Sequence, residues 1–222
     1  MFNPQRKIYV VGINSFNFLD LSLNLQRTLK KSYYIAIPNN YFDDIKVWFN
    51  DPSMSNKKIF RSNSDKKLID WLKSNEKDTV LLSRGDPLWF GIGRMLLENF
   101  SKEELLFFPS NTCVQIACSR LKIPWQQITC LSIHGRQSDQ LIKTLKLKES
   151  IIAIIPDPNN YNFELIRQNI IELQLDDFYE FYICEDLGLK KERIRKIHIK
   201  SNLPKKISKL SICILIKKET LI

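Results

Sequence analysis

Short apolar runs alternate with helical patterns along the chain. "KIYVVG" (7–12) has the length and composition of a buried strand, "LDLSLNLQRTLKK" (19–31) predicts a helix, and "YYIAIP" (33–38) the next strand, which makes one βαβ unit. A polar stretch rich in Asn, Ser and Asp around 50–65 predicts a loop. Helix "DKKLIDWLKS", strand "DTVLLS", helix "GIGRMLLENF" and strand "ELLFFP" follow, so the chain through 109 describes a parallel α/β layer. A second series begins with helix "TCVQIACSRL", which carries Val114, Ala117, Cys118 and Leu121 on one face. It continues with strand "ITCLSIH", helix "SDQLIKTL", strand "IIAIIP" and a helix from Tyr161 to about Leu175. The last runs, "FYEFYIC", "RIRKIHIK" and "KLSICILIK", have little helix between them, so the second sheet is expected to be mixed, with antiparallel neighbours. The expectation is α/β architecture in two domains, 1–110 and 111–222, with the boundary near 109–112.

One stretch breaks the rhythm. The chain has only six glycines, and three of them, Gly85, Gly91 and Gly93, fall within nine positions in "LLSRGDPLWFGIG". In open α/β sheets ligands sit at the carboxyl ends of strands, where a loop turns into a helix. Gly85 would let backbone approach a ligand, Pro87 would stiffen the turn, and Asp86 could accept hydrogen bonds from hydroxyl or amino groups. The bland alternative is a tight strand-to-helix turn. No G-K-[S/T] follows, so this is not a nucleotide P-loop, and "GIG" alone is a weak dinucleotide signal.

At 222 residues and 44% hydrophobic content the chain can bury a real core. No apolar run approaches the roughly 20 residues of a membrane span, and "MFNPQRKIYVVG" leads directly into a strand, which predicts a cytoplasmic protein without a membrane partner. The five cysteines are odd in number and form no C-x-x-C pair, so buried reduced thiols are expected rather than disulfides or a compact zinc site. The net charge of +10 is concentrated at one end: from Lys190 onward there are 11 Lys/Arg against Glu192 and Glu219. Such a run could steer a polycarboxylate substrate or be a solvated surface. It lacks the interleaved aromatics of single-strand nucleic-acid binders, so nucleic acid is not expected as a partner.

Three ordered blocks carry a family resemblance: "LLSRGDPLWFGIGRMLLENF", "FFPSNTCVQIACSRLKIPWQQITCLSIHGR" and "ICEDLGLKKERI". Their order and spacing resemble the tetrapyrrole methylases, most of all the precorrin carbon-5 methyltransferases, with the pattern S-G-D-P-x-F/Y-G-I-G, P-G-x-S-S-V-Q-x-A-x-A-R-L, S-L-H-G-R and E-N-L-G-x-x-x-E-R-I. The chain departs from that pattern in two loops. The family's first loop, G-x-G-P-G, reads "GINSF" from Gly12 to Phe16, and P-G-x-S-S reads "PSNTC", with Ser110 in place of glycine.

The resemblance implies a two-domain tetrapyrrole methylase fold, a mainly parallel N-terminal sheet and a mixed C-terminal sheet with an interdomain cleft for S-adenosylmethionine. Gly85, Asp86 and Pro87 would shape the wall against which that cosubstrate folds. Trp89, Phe90 and Gly91 would add backbone and apolar contacts, and Thr112 and Cys113 match the pair near the methionine part. His134, one of two histidines, stands at a strand end as a candidate base. Arg84 and Arg136 are candidates for pairing with substrate carboxylates. The implied function is methylation of carbon 5 of a precorrin or cobalt-precorrin in corrin-ring biosynthesis, by a homodimer without a protein-bound metal. The companion carbon-15 activity would then lie on a separate chain. The alternatives are a related methylase acting on another tetrapyrrole or small substrate, or a non-catalytic binding protein on the same fold.

Overall fold

A computed structural model describes residues 6–14, 16–133, 139–157 and 163–218, and the chain divides into two compact units, Met1–Thr112 and Cys113–Ile222. The first holds strands β1 (Ile8–Ile13), β2 (Tyr34–Ile37), β3 (Lys58–Arg61), β4 (Thr79–Arg84) and β5 (Leu105–Phe108). They form one sheet in the order β3-β2-β4-β1-β5 with every pairing parallel. Its helices are α1 (Leu23–Lys31), α2 (Asn39–Ile45), α3 (Asp65–Ser74) and α4 (Gly93–Asn99).

Local chemistry sets these elements. Ser22 and Ser64 cap α1 and α3 by accepting from the Leu25 and Lys67 amides, each at 3.4 Å. Lys30 and Lys31 close the last turn of α1, where the helix dipole favours cations. In α3, Leu68, Ile69 and Leu72 supply the buried face. The central strand β4 buries five residues in succession because helices cover both sides of the sheet. Arg6 ties the layers together, donating to the Leu72 carbonyl at 2.8 Å, to the Asn75 carbonyl and to Glu104.

The loop expected around 50–65 is corrected by the structure. A short edge strand, β3, occupies 58–61, and α2 with a 3-10 turn (Lys46–Asn50) precedes it. β3 carries Lys58 and Arg61 at its ends and has no fully buried residue. An edge strand of that kind leaves no apolar run to read.

The second unit holds β6 (Ile128–Ser132), β7 (Ile151–Ile155), β8 (Tyr179–Glu185), β9 (Arg193–Ile197) and β10 (Ser211–Lys217). Their order is β6-β7-β10-β8-β9, with only β6 and β7 parallel. The mixed sheet expected from the sparse helix content is therefore observed. Its helices are α5 (Cys113–Leu121), α6 (Asp139–Lys146) and α7 (Phe163–Glu172). Leu141 and Leu145 of α6 and Phe163, Ile166 and Ile170 of α7 pack on the sheet face that carries Leu131, Ile183, Cys213 and Leu215.

Part of the basic C-terminal run is engaged within this unit. Arg193 and Arg195 pair with Glu185, Lys196 with Glu180, Lys200 with Asp176 and Lys218 with Asp177. Glu185 is the centre of this arrangement: its side chain is 1% exposed, and it accepts from Arg193 Nε at 3.0 Å and the Ser208 amide at 2.9 Å. The block "EDLGLKKERI" is thus a built turn. Asp186 and Gly188 take left-handed backbone at φ +49° and +79°, and Glu192 accepts from the Gly188 amide at 2.7 Å.

Burial pushes the Glu185 carboxyl up, but the Arg193 fork, the Ser208 amide and the Arg195 charge outweigh it, and its pKa lies below the ordinary glutamate value. A depressed carboxyl contributes stability that is complete above its unfolded pKa, about 4.3, and is lost as pH falls through the folded value. Glu185→Ala, which strands two guanidiniums, is expected to cost about 3 kcal/mol in urea unfolding at pH 7. Glu185→Gln should also be less stable at pH 7, by a margin that narrows as pH falls below about 4. A margin unchanged with pH would show that the charge at this position is not the source of the stability.

Candidate functional site

In an open parallel sheet the crevice opens where neighbouring strands send their connections to opposite faces. Those strands here are β1 and β4. α1 follows β1 and packs Leu29 against Val11 and Ile13 on one face, whereas α4 follows β4 and packs Leu96 against Ile8 and Val10 on the other.

Three segments meet at that carboxyl edge: Gly12 to Asn14 at the end of β1, Arg84 to Pro87 at the end of β4, and Ser110 to Thr112 beyond β5. They meet at backbone distance. A Cβ on Gly12 would stand 2.1 Å from the Gly85 carbonyl oxygen and 2.8 Å from the Ser110 nitrogen, so no side chain fits. The Gly85 amide donates to the Ile13 carbonyl at 3.0 Å and fastens the loop to the sheet. Gly85 is needed for a different reason. Its φ is +63°, in the left-handed region, while a Cβ there would meet only Asn111 O at 3.5 Å and Thr112 Cα at 3.9 Å.

The glycines at 91 and 93 serve the loop itself. Cβ atoms on them would lie 2.6 and 2.7 Å from the Pro87 carbonyl oxygen, which accepts from the Gly93 amide at 2.8 Å. Asp86 is also used internally: Oδ1 accepts from the Leu88 amide at 2.9 Å, and the backbone carbonyl accepts from the Trp89 amide at 3.1 Å. The result is a closed turn that presents apolar side chains. Leu88 and Phe90 are 54% and 56% exposed, and Phe90 is held at φ +48° with its ring edge-on to half-buried Trp89, centroids 4.8 Å apart. A bulky residue in left-handed backbone costs energy and needs a local reason.

Arg84 is half-buried at the last position of β4, opposite Ile13. Thr112 is 9% exposed, and Cys113 is half-buried at the first position of α5. The structure thus brings Arg84, Gly85, Asp86 and Pro87 to the same edge as Thr112, with Trp89, Phe90 and Gly91 in the turn that follows. His134 and Arg136 lie outside the described residues. Asn14 is the residue that sequence reasoning missed: its Nδ2 donates to Ser110 Oγ at 2.9 Å and to the Asn111 carbonyl at 2.6 Å. The partners are 96 and 97 positions away, so no local pattern announces them.

The cysteines behave as packing groups. Cys118, Cys184 and Cys213 are buried and Cys113 and Cys130 half-buried, none of them in a disulfide. Burial pushes Cys118 up to about 11 and Cys184 to about 12, which leaves them protonated at neutral pH. Among the described residues no group of three or more His, Cys, Asp or Glu is placed to hold a metal ion, and no helix is long and apolar enough to cross a membrane.

The family described as tetrapyrrole (corrin/porphyrin) methylases matches residues 7–201. A probable cobalt-precorrin-7 C(5)-methyltransferase of Methanocaldococcus jannaschii is 26% identical over 152 residues, which is 67% of this chain and 70% of that protein. The crystal structure of a precorrin-6Y methylase from Archaeoglobus fulgidus has a TM-score of 0.68 at 20% identity, over 96% of this chain and 98% of that one. A uroporphyrin-III C-methyltransferase from Thermus thermophilus, crystallised with S-adenosylhomocysteine, has a TM-score of 0.65 at 14% identity, over 94% of this chain and 96% of that one. These structures share the fold.

The two glycine requirements separate by experiment. Gly12→Ala places a methyl group against backbone that cannot yield without moving β4, and is expected to cost at least about 3 kcal/mol. Gly85→Ala should cost only the left-handed conformation, about 1–2 kcal/mol. Denaturant unfolding that ranks the two in the reverse order would refute this account of the strand ends.

Proposed function

The chain belongs to the tetrapyrrole (corrin/porphyrin) methylases, and we propose that it transfers the methyl group of S-adenosylmethionine to carbon 5 of a precorrin or cobalt-precorrin. The observation that carries this reading is the turn after β4, at the point where the sheet's connections diverge. The edge suits the nucleoside part of the cosubstrate: it combines a glycine held in left-handed backbone, a missing Cβ facing Asn111 and Thr112, and apolar side chains rather than a phosphate-binding lysine. In this reading Gly85, Asp86 and Pro87 form the wall, Trp89, Phe90 and Gly91 supply apolar and backbone contacts, and Thr112 and Cys113 flank the methionine end.

When bound, S-adenosylmethionine supplies a methyl group on a positively charged sulfur, displaced in line by an electron-rich ring carbon. The protein's task is to hold that line and keep water out. Positioning of this kind can supply several kcal/mol of the barrier. The closed turn between Asp86 and Gly93 serves it because its hydrogen bonds are already satisfied internally and do not need to reorganise. In this reading half-buried Arg84, at the last position of β4, would pair with a substrate carboxylate. The protein is further proposed to act in the cytoplasm as a homodimer, symmetric pairing being the commonest assembly of soluble chains.

Calorimetric titration with S-adenosylhomocysteine is expected to show one site per chain, and Gly85→Val, with a side chain directed toward Asn111 and Thr112, is expected to weaken it at least about tenfold. With ¹³C-methyl cosubstrate and a corrin precursor unmethylated at carbon 5, a single labelled methyl should appear at that carbon by NMR. Absence of binding at about 1 mM ligand would overturn the cosubstrate assignment, and label at another carbon would overturn the position.

A further inference from the structure

The two loops in which the chain departs from the family's glycine pattern are bonded to each other. Asn14 occupies the second glycine position of "GINSF", Ser110 occupies the glycine position of "PSNTC", and Asn14 Nδ2 donates to Ser110 Oγ at 2.9 Å. The same nitrogen donates to the Asn111 carbonyl at 2.6 Å, so a single side-chain amide spends both its hydrogens on one three-residue segment. Asn14 is half-buried, and the carbonyl it holds is the atom nearest to where a Cβ on Gly85 would point, at 3.5 Å.

From this geometry we infer that Asn14 and Ser110 form a latch that positions the 110–112 segment, and with it Thr112, for S-adenosylmethionine, an inference that rests on the function proposed above. Glycine at either position would lose the Asn14–Ser110 bond and leave the two loops freer to move apart. Two side chains that meet across the edge replace that freedom with a defined distance between the end of β1 and the segment after β5. The latch acts through Thr112 and the Asn111 carbonyl, so Asn14 is a positioning residue and takes no part in the chemistry. Removing it should therefore raise the KM for the cosubstrate while leaving kcat at saturation nearly unchanged.

The separating variant is Asn14→Asp, which keeps the shape and removes both donated hydrogens. It should bind S-adenosylhomocysteine about tenfold more weakly than the unmodified protein, as should Asn14→Ala, while Ser110→Ala, which removes one of the two bonds, loses less. Ser110→Ala should add little further loss in the Asn14→Ala background, because the bond it removes is already gone. Amide exchange in the unliganded proteins supplies a readout independent of binding: the Asn111 and Thr112 amides should exchange faster in Asn14→Asp, with the amides of β4 unaffected. Unchanged affinity together with unchanged exchange at 111–112 would overturn the latch. Faster exchange with unchanged affinity would overturn its positioning role. If the unmodified protein binds no S-adenosylhomocysteine, the proposed function fails and the positioning inference fails with it, a result distinct from both.

Discussion

The carboxyl edge of the first sheet depends on one contact, the approach of Gly12 to the Gly85 carbonyl. Because β1 carries no side chain at that point, the end of β4 can fold inward across it and the segment after β5 can reach the same place. Everything proposed for the site is arranged around this absence: the left-handed turn at Gly85, the closed loop over Pro87, and the Asn14 bonds to Ser110 and Asn111. The sheet brings the three strand ends to one edge, but only missing atoms let their backbones touch.

How far the sequence discloses this depends on the range of the interaction. β1 and β4 are legible because a strand buried on both faces must be a continuous apolar run, and α3 is legible from Ser64, Asp65 and its buried leucines. β3 and α2 are not, since a four-residue edge strand flanked by Lys58 and Arg61 and a helix reading "NNYFDDI" carry too few apolar positions to set a period. At the site, the concentration of glycine marks the right place, but what the glycines accommodate is hidden. Gly91 and Gly93 face a carbonyl four to six residues back, and Gly12 faces one 73 residues ahead. Asn14 is illegible for the same reason.

The second unit shows that a recognisable block need not be a site. "EDLGLKKERI" resembles the family pattern as clearly as the glycine loop does, yet its two glutamates are committed to structure. Buried Glu185 holds Arg193 and Arg195, and Glu192 closes the turn through Gly188 and Arg120. This also answers the question raised by the charge distribution. Part of the C-terminal surplus balances carboxylates of β8 and of the turn before it, while Lys190, Lys191, Lys205, Lys206 and Lys209 lie in the two loops that flank β9. Arg195, whose Nη2 also donates to the Lys206 carbonyl, ties the loop that follows β9 to that edge strand.

The strand order has a consequence for how the protein is made. β1 is made before the other strands of its sheet, but Ile8 pairs with Thr79 on one side and Leu105 on the other, so β1 has no neighbour until the chain has grown 71 residues further. Pairings this distant in sequence form slowly, because loop closure must precede any gain from contact. Until then "IYVVGI" is a bare, nearly uncharged β-forming segment, the kind of sequence that chaperones hold and that self-associates when they do not. The side chain missing at Gly12, which lets the finished edge close, also leaves the waiting strand one residue less able to pair with the wrong partner.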